Sequence, residues 1–315
     1  MNLPKLDMDR SWAYAGWPES LVSTIENGKK KARSTGFSLL KQFITSDWLK
    51  KRTVDKFVSD LKMEEIGDNT YRISNDYVFQ SYLLVGKQKA LLIDTGLGVG
   101  GNLLEIVKGI TDKPLTVICT HGHFGVVGGA GQFDEVQIDK ADLRMAKLMN
   151  LAVRKITGQE KVPNFVPIDK KVYKDGIDLG GRTIKVELLP SHTKGSVCFT
   201  DDKFAITGDT MGPLGIQLLP GSVPINRYAE VLDKYFRDLS TKKIYCSYFP
   251  RSIDYSRVSE FKDLLYSASM QSANYASFIC FKHSSSKKQF LIYYGAKSNQ
   301  REFKSRFVGY KPFAK

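Results

Sequence analysis

The sequence is poor in the two residue types that most often build a metal or redox centre. It holds four histidines and four cysteines in 315 residues. The cysteines, Cys119, Cys198, Cys246 and Cys280, lie far apart and form no CxxC pair, so no local zinc or dithiol motif is present. Three of them fall in apolar, strand-like runs (VICT, SVCFT, FICFK), where a free cysteine packs as a small hydrophobe. The expectation is a reducing compartment without disulfides. No apolar run reaches the length of a membrane span. The opening residues, MNLPKLDMDRSW, carry acids and no apolar core, so they do not read as a secretory signal. Cytoplasmic localisation is the expectation. Internal repeats and low-complexity segments are absent too.

Acidic residues are also short in supply. Lys and Arg number 47 against 33 Asp and Glu, a formal net charge of +14. Such a surface favours anionic partners, whether an acidic small-molecule substrate, nucleic acid or a membrane surface, although net charge by itself names none of them. A hydrophobic share of 42% is enough to bury a core and argues against wholesale disorder.

Three regions differ in texture. Residues 1–62 hold the charge runs at 29–31 and 50–52 and little strand signal. Leu40, Ile44 and Trp48, and again Val54, Phe57, Val58 and Leu61, fall at helical spacing, which predicts an N-terminal helical extension packed on the main domain. Residues 63–275 form the main domain. TYRIS, YVFQSYLLVG and ALLID read as strands between turn residues. A helix is predicted over 102–110, strands at LTVICT and EVQID, and a helix after Asp139. DGIDLGGRTIKVELLP reads as two strands about a Gly-Gly turn. SVCFT and KFAITGD follow as strands, then a helix in RYAEVLDKYFRDL, a strand in KIYCSYF and a helix in SRVSEFKDLLYSASM. This order predicts a layered α/β domain on antiparallel or mixed sheets rather than a βαβ repeat. Residues 276–315 read as a hairpin (SFICFK with QFLIYYG) and a basic tail on the same domain. From 281 onward seven Lys and two Arg face one Glu, interleaved with aromatics. That texture suits base stacking, yet no nucleic-acid module surrounds it, so a basic terminal hairpin is the simpler reading.

The histidines are few but not scattered. His121 and His123 stand one residue apart just after a predicted strand, so continued strand geometry would send both side chains to one side, as two ligands of one ion require. His192 follows another apolar strand in LPSHTKGSV, Asp209 a third in ITGDTM, and Asp94 a fourth in LLIDTGLG. Polar residues at strand ends, each beside glycine, suggest one shared rim. His283, in KHSSSKK, reads as part of an exposed turn and is assigned no chemistry. Lys194 reads as a solvated lysine, with contact to an anionic substrate as the alternative.

In order and approximate spacing, LLIDTG, THGHFGVVGG, PSH, TGD and the late IYCSYFP resemble the metallo-β-lactamase fold superfamily, whose pattern is an early Asp, THxHxDHxGG, PGH, GD and a late His. The resemblance covers residues 63 to about 270 and implies a four-layer αββα sandwich. Carried over position by position, it implies that His121, His123 and His192 hold one metal, that Asp209 is the carboxylate beside it, and that Asp94 supports the ligands from behind. The family's second metal would need an Asp at 125, a His at 126 and a late His. This chain has Gly125, Val126 and, at the late position, Tyr248. The resemblance therefore implies a hydrolase with one zinc ion that acts on an ester, thioester, lactone or similar bond. A lapsed member that serves as a binding or scaffold module for an anionic partner is the alternative, since residue 125 also helps place the attacking water. His121, His192 and Asp209 are also two histidines and a carboxylate, a set that suits one non-haem Fe ion. It is similar to the iron site of the persulfide dioxygenases of this superfamily, which keep the full THxHxDH run that this chain lacks.

Overall fold

The computed structural model describes residues 60–75, 78–211, 221–223, 225–235, 239–247, 251–253 and 255, together with 291–294 and 307–310. The expected helices before residue 60, the helix expected after Ser256, Tyr248, Cys280 and His283 lie outside the described residues.

Two sheets carry the fold, as the α/β reading requires. The first is ordered β1 (Lys62–Gly67), β2 (Thr70–Asn75), β3 (Val78–Val85), β4 (Ala90–Ile93), β5 (Leu115–Ile118), β6 (Glu135–Ile138) and β7 (Asn164–Pro167). Strands β1 to β4 pair antiparallel. Strands β4 to β7 pair in parallel. The second sheet is ordered β12 (Lys243–Tyr245), β11 (Phe204–Ile206), β10 (Val197–Thr200), β9 (Thr183–Leu188) and β8 (Ile177–Asp178). It is antiparallel except for β11 with β12.

Mixed sheets were expected, but the parallel block β4–β7 was not; helical crossovers between its successive strands carry the chain back to start each in the same direction. A strand buried on both faces needs a helical layer outside it, which a helical crossover supplies. In β3, Tyr82 and Leu84 face the second sheet while Leu83 and Val85 face the helices, and in β4, Leu91 and Ile93 alternate with Ala90 and Leu92 in the same way. Leu103 and Val107 of α1 (Leu103–Ile110) close the outer cluster. Asn102 starts that helix by accepting from the Glu105 N–H (3.2 Å). The outer cluster also takes in Val126 and Val127 of the one-turn α2 (Phe124–Val127), Ala130 of the 3₁₀ turn Gly128–Gln132 and Ala146 of α3 (Leu143–Thr157). Between the sheets, Tyr82, Leu84, Leu91 and Ile93 meet Ile184, Val186, Phe199, Phe204, Ile206 and Tyr245. The short α4 (Lys170–Asp175) lies beside β9, and α5 (Ile225–Tyr235) follows the second sheet's β11 in sequence. Together these elements make the αββα sandwich.

Among the described residues, Cys119, Cys198 and Cys246 are buried free thiols. No helix among them is long and apolar enough to cross a membrane. In the C-terminal region, β13 (Leu291–Tyr294) pairs in parallel with β14 (Phe307–Tyr310). The SFICFK half of the expected hairpin lies outside the described residues. Residues 295–306 between the two strands are long enough for a parallel return.

One hydrogen bond ties the sheets at their working edge. The Tyr82 hydroxyl on β3 donates to the Cys246 carbonyl just after β12 (2.6 Å), and both residues are buried. Tyr82→Phe keeps the ring and removes this bond, so it should lower the unfolding free energy by about 1–2 kcal/mol. A lower urea midpoint with an unchanged slope would report that loss.

Candidate metal centre

The site forms where the ends of β4, β5, β10 and β11 approach one another. Its first anchor is Asp94, fully buried and held at φ 65°, a backbone region that Asp tolerates better than most residues. Its Oδ1 accepts from the Thr120 N–H (2.6 Å), and its Oδ2 accepts from the Thr120 hydroxyl (3.0 Å) and the Ser247 hydroxyl (2.7 Å). Thr120 Oγ1 is also 3.1 Å from His121 Nδ1. A hydroxyl has one proton to give. With Asp94 ionised, Thr120 gives it to the carboxylate and accepts from Nδ1–H of His121. That leaves Nε2 of His121 as the lone-pair nitrogen, turned to the site. Gly208 makes this approach feasible: its φ is 57°, and a Cβ there would stand 2.7 Å from Thr120 Oγ1.

A second anchor joins the two histidine loops. Asp142, at the start of α3, accepts from the Gly122 N–H (2.9 Å), the Gly195 N–H (3.0 Å) and the Thr193 hydroxyl (2.6 Å). The turn carrying His121 and His123 is thereby fixed to the turn carrying His192. The Ser222 hydroxyl holds the His192 carbonyl (2.5 Å). Ser191 Oγ lies 2.9 Å from Thr210 Oγ1, and the Tyr228 hydroxyl of α5 donates to the Thr210 carbonyl (2.6 Å), which fixes the turn carrying Asp209.

These anchors bring His121, His123 and His192 together. Their rings stand nearly at right angles, 82–89°, with centroids 4.7–4.9 Å apart. One nitrogen from each lies within 4.8 Å of the others, and all three residues are buried. His123 Nδ1 and His192 Nε2 are 2.8 Å apart. Asp209 Oδ2 is 3.7 Å from both His121 Nε2 and His192 Nε2. His121 Nε2 and Asp209 Oδ1 are buried with no hydrogen-bond partner. Burial, then His192 and His123, hold the His121 imidazole well below its usual pKa, so it is a neutral donor. Buried nitrogen and oxygen lone pairs without partners, facing one point, fit a divalent metal ion. The separations bracket the ~3.4 Å that nitrogens about 2.1 Å from a tetrahedral ion would show.

The positions that would serve a second ion look different. Gly125 has no side chain, and Val126 is turned into the outer core. Lys194 is exposed beside His192. The residues missed in the sequence are Thr120, Asp142, Ser247 and Gln80. Thr120 stands inside THGH, and its place before the first histidine was the available signal. Asp142 and Ser247 carry no local motif. Gln80 is fully buried with both side-chain polar atoms unpartnered, while its N–H donates to the Ser247 carbonyl (2.6 Å).

Burial pushes the Asp94 carboxyl up to about 7, against the opposing pull of its Thr120 and Ser247 donors. Burial and the nearby charge of Asp94 push Asp209 up to about 8. Between the ordinary value of 3.8 and these values, the folded chain holds protons that the unfolded chain has released. The resulting stabilisation is complete below pH 3.8 and is lost as pH rises through about 7 to 8. Chelator-treated protein should therefore melt lower as pH rises across this window. Asp94→Asn, which cannot ionise, should make that dependence shallower in thermal melts.

A sequence profile described as the Metallo-beta-lactamase superfamily matches residues 78–247, the span that holds every anchor above. The chain is 30% identical over 158 residues to the acyl-coenzyme A thioesterase MBLAC2 of Gallus gallus, covering 41% of this chain and 56% of that protein. It is 29% identical over 159 residues to the Homo sapiens protein of that name, covering 41% and 57%. The chain thus spans little more than half the length of these curated relatives. Among solved structures, the metallo-β-lactamase FIM-1 from Pseudomonas aeruginosa in its mono-zinc form superposes with a TM-score of 0.53 at 14% identity, over 68% of this chain and 99% of that one. A metallo-β-lactamase from Pontibacter korlensis superposes with a TM-score of 0.50 at 18% identity, over 66% and 99%. These two likenesses speak to the fold, while the profile covers more than half of the sequence and the strand ends that carry the site. The chain belongs to the metallo-β-lactamase superfamily.

Proposed function

We propose that the protein hydrolyses acyl thioesters with a single zinc ion held by His121, His123 and His192, with Asp209 beside it. The observation that carries this reading is the cluster of three buried imidazoles, with His121 Nε2 and Asp209 Oδ1 left without hydrogen-bond partners beside it. Three imidazoles with an open fourth position are a catalytic zinc set. Zinc bound there supplies a lowered water pKa and polarises an acyl oxygen.

The remaining work falls to the chain's own groups. Thr120 and Asp94 fix the tautomer of His121. Asp209 Oδ1, free of any partner, accepts a hydrogen bond from the attacking water and orients it, a role that Gly125 cannot fill. The water oxygen joins the acyl carbon as one of its protons passes to Asp209 Oδ1, the carbon–sulfur bond breaks, and the sulfur leaves as a thiolate. A thiol with a pKa near ~8.5 leaves at neutral pH without a second cation to steady it. An alkoxide or amide nitrogen needs a proton or a cation to leave, so a one-ion site suits thioesters. The acyl-coenzyme A thioesterase relatives support the same bond type. Exposed Lys194 and the +14 charge suit an anionic thiol carrier.

Purified protein should contain one zinc per chain by elemental analysis and should release free thiol from acyl-coenzyme A. His192→Ala should lose the metal and lower kcat/KM by a factor of about 1,000. Chelation should lower Tm, because an ion that binds only the folded chain at 1,000 times its Kd contributes about 4 kcal/mol. Absence of metal together with an unchanged Tm in chelator would sink the proposal. Iron with metal-dependent oxygen consumption would replace hydrolysis with oxidation.

A further inference from the structure

Position 125 has lost more than a ligand. A Cβ on Gly125 would stand 2.1 and 2.2 Å from two ring carbons of Phe79, so the ring already occupies the space into which any side chain on residue 125 would grow. Phe79 reaches this place from β3 with a left-handed backbone, φ 56°. A bulky residue there costs about 1–2 kcal/mol, and something must offset it. Among the described residues Phe79 is in neither apolar cluster of the sandwich, and its ring packs on the turn that carries Gly125. Its ring also meets Phe124 edge to face, at a centroid distance of 5.7 Å and 72°. Val126 completes the change. It is 1% exposed in the outer core, and its carbonyl accepts from both the N–H and the hydroxyl of Thr95 (2.8 Å each). That locks the turn with residue 126 facing away from the histidines.

We infer that Phe79 closes the second-metal compartment: its ring stands where a carboxylate on residue 125 would reach, and it keeps the site to one ion. The inference rests on the one-ion reading above and adds the residue that enforces it. It predicts a dependence between positions 79 and 125 that the loss of ligands alone would not create. Restoring the carboxylate by itself does not restore a second ion, because the ring bars it; with the ring removed, a carboxylate on residue 125 and Asp209 would give a weakly held second ion two oxygen donors.

The test uses the full chain, with Gly125→Asp, Phe79→Ala and the two combined, titrated with zinc and followed by native mass spectrometry. The wild type and Gly125→Asp should each hold one ion. The combined variant should take up a second ion at least ~10 times more tightly than Gly125→Asp does. A combined variant no better than Gly125→Asp overturns the inference, as does a Gly125→Asp chain that already binds two ions. A parallel measurement on metal-free protein keeps the question separate from zinc. Gly125→Ala should lower Tm by roughly 5 °C beside Phe79 and should have little effect in the Phe79→Ala background. Equal Tm losses in the two backgrounds also overturn the inference. A wild type with no ion or with two defeats the one-ion reading, whereas the Tm comparison judges the Phe79–Gly125 contact regardless of metal.

Discussion

A buried carboxylate, Asp94, is the constraint on which the rest of this site depends. It ends β4 in a left-handed turn and takes three donors, two from Thr120 after β5 and one from Ser247 after β12. In one group it joins the ends of β4 and β5 in the first sheet to the end of β12 in the second. Its burial costs free energy, visible in a carboxyl pushed up to about 7, and the three donors offset that cost. Removing it would leave an amide N–H and two hydroxyls buried without their acceptor. What Asp94 fixes through Thr120 is the orientation of the first imidazole, so the electrostatics of one carboxylate become the geometry of the site.

Asp142 does for the loops what Asp94 does for the strands. It accepts from both histidine turns and sets their separation. The imidazoles are thus held by side chains that are themselves bonded, not by the flexibility of glycine-rich turns. Desolvation keeps the first imidazole neutral, which is the form that donates a lone pair to an ion. The same desolvation makes Asp209 hard to ionise until a cation arrives. Arrangement and protonation state therefore share one cause, the dry edge of the sandwich.

Much of the fold was legible in local pattern. The helix at 103–110, the strands at 115–118 and 135–138 and the pair of strands about Gly180 and Gly181 follow from periodicity and turn residues. The parallel block β4–β7 was less legible, because a short apolar run looks alike whether its neighbour runs with it or against it. His121, His123, His192 and Asp209 could be picked out because each follows a strand beside glycine. Asp142 could not, since its partner Thr193 is 51 residues away. Nor could Ser247, 153 residues from Asp94, or Phe79, whose role exists only against the missing side chain of Gly125.

The sequence alone determined the inventory: three histidines and an aspartate at strand ends, no dithiol, and glycine and valine at positions 125 and 126. Those are statements about which atoms exist, and composition and spacing decide them. Tertiary structure decided which lone pairs are left without partners, which tautomer His121 holds, and what fills the space beside Gly125. Such properties belong to atoms brought within a few ångströms from distant parts of the chain. Hydrogen bonding, desolvation and steric exclusion act at that range, and no reading along the chain measures it.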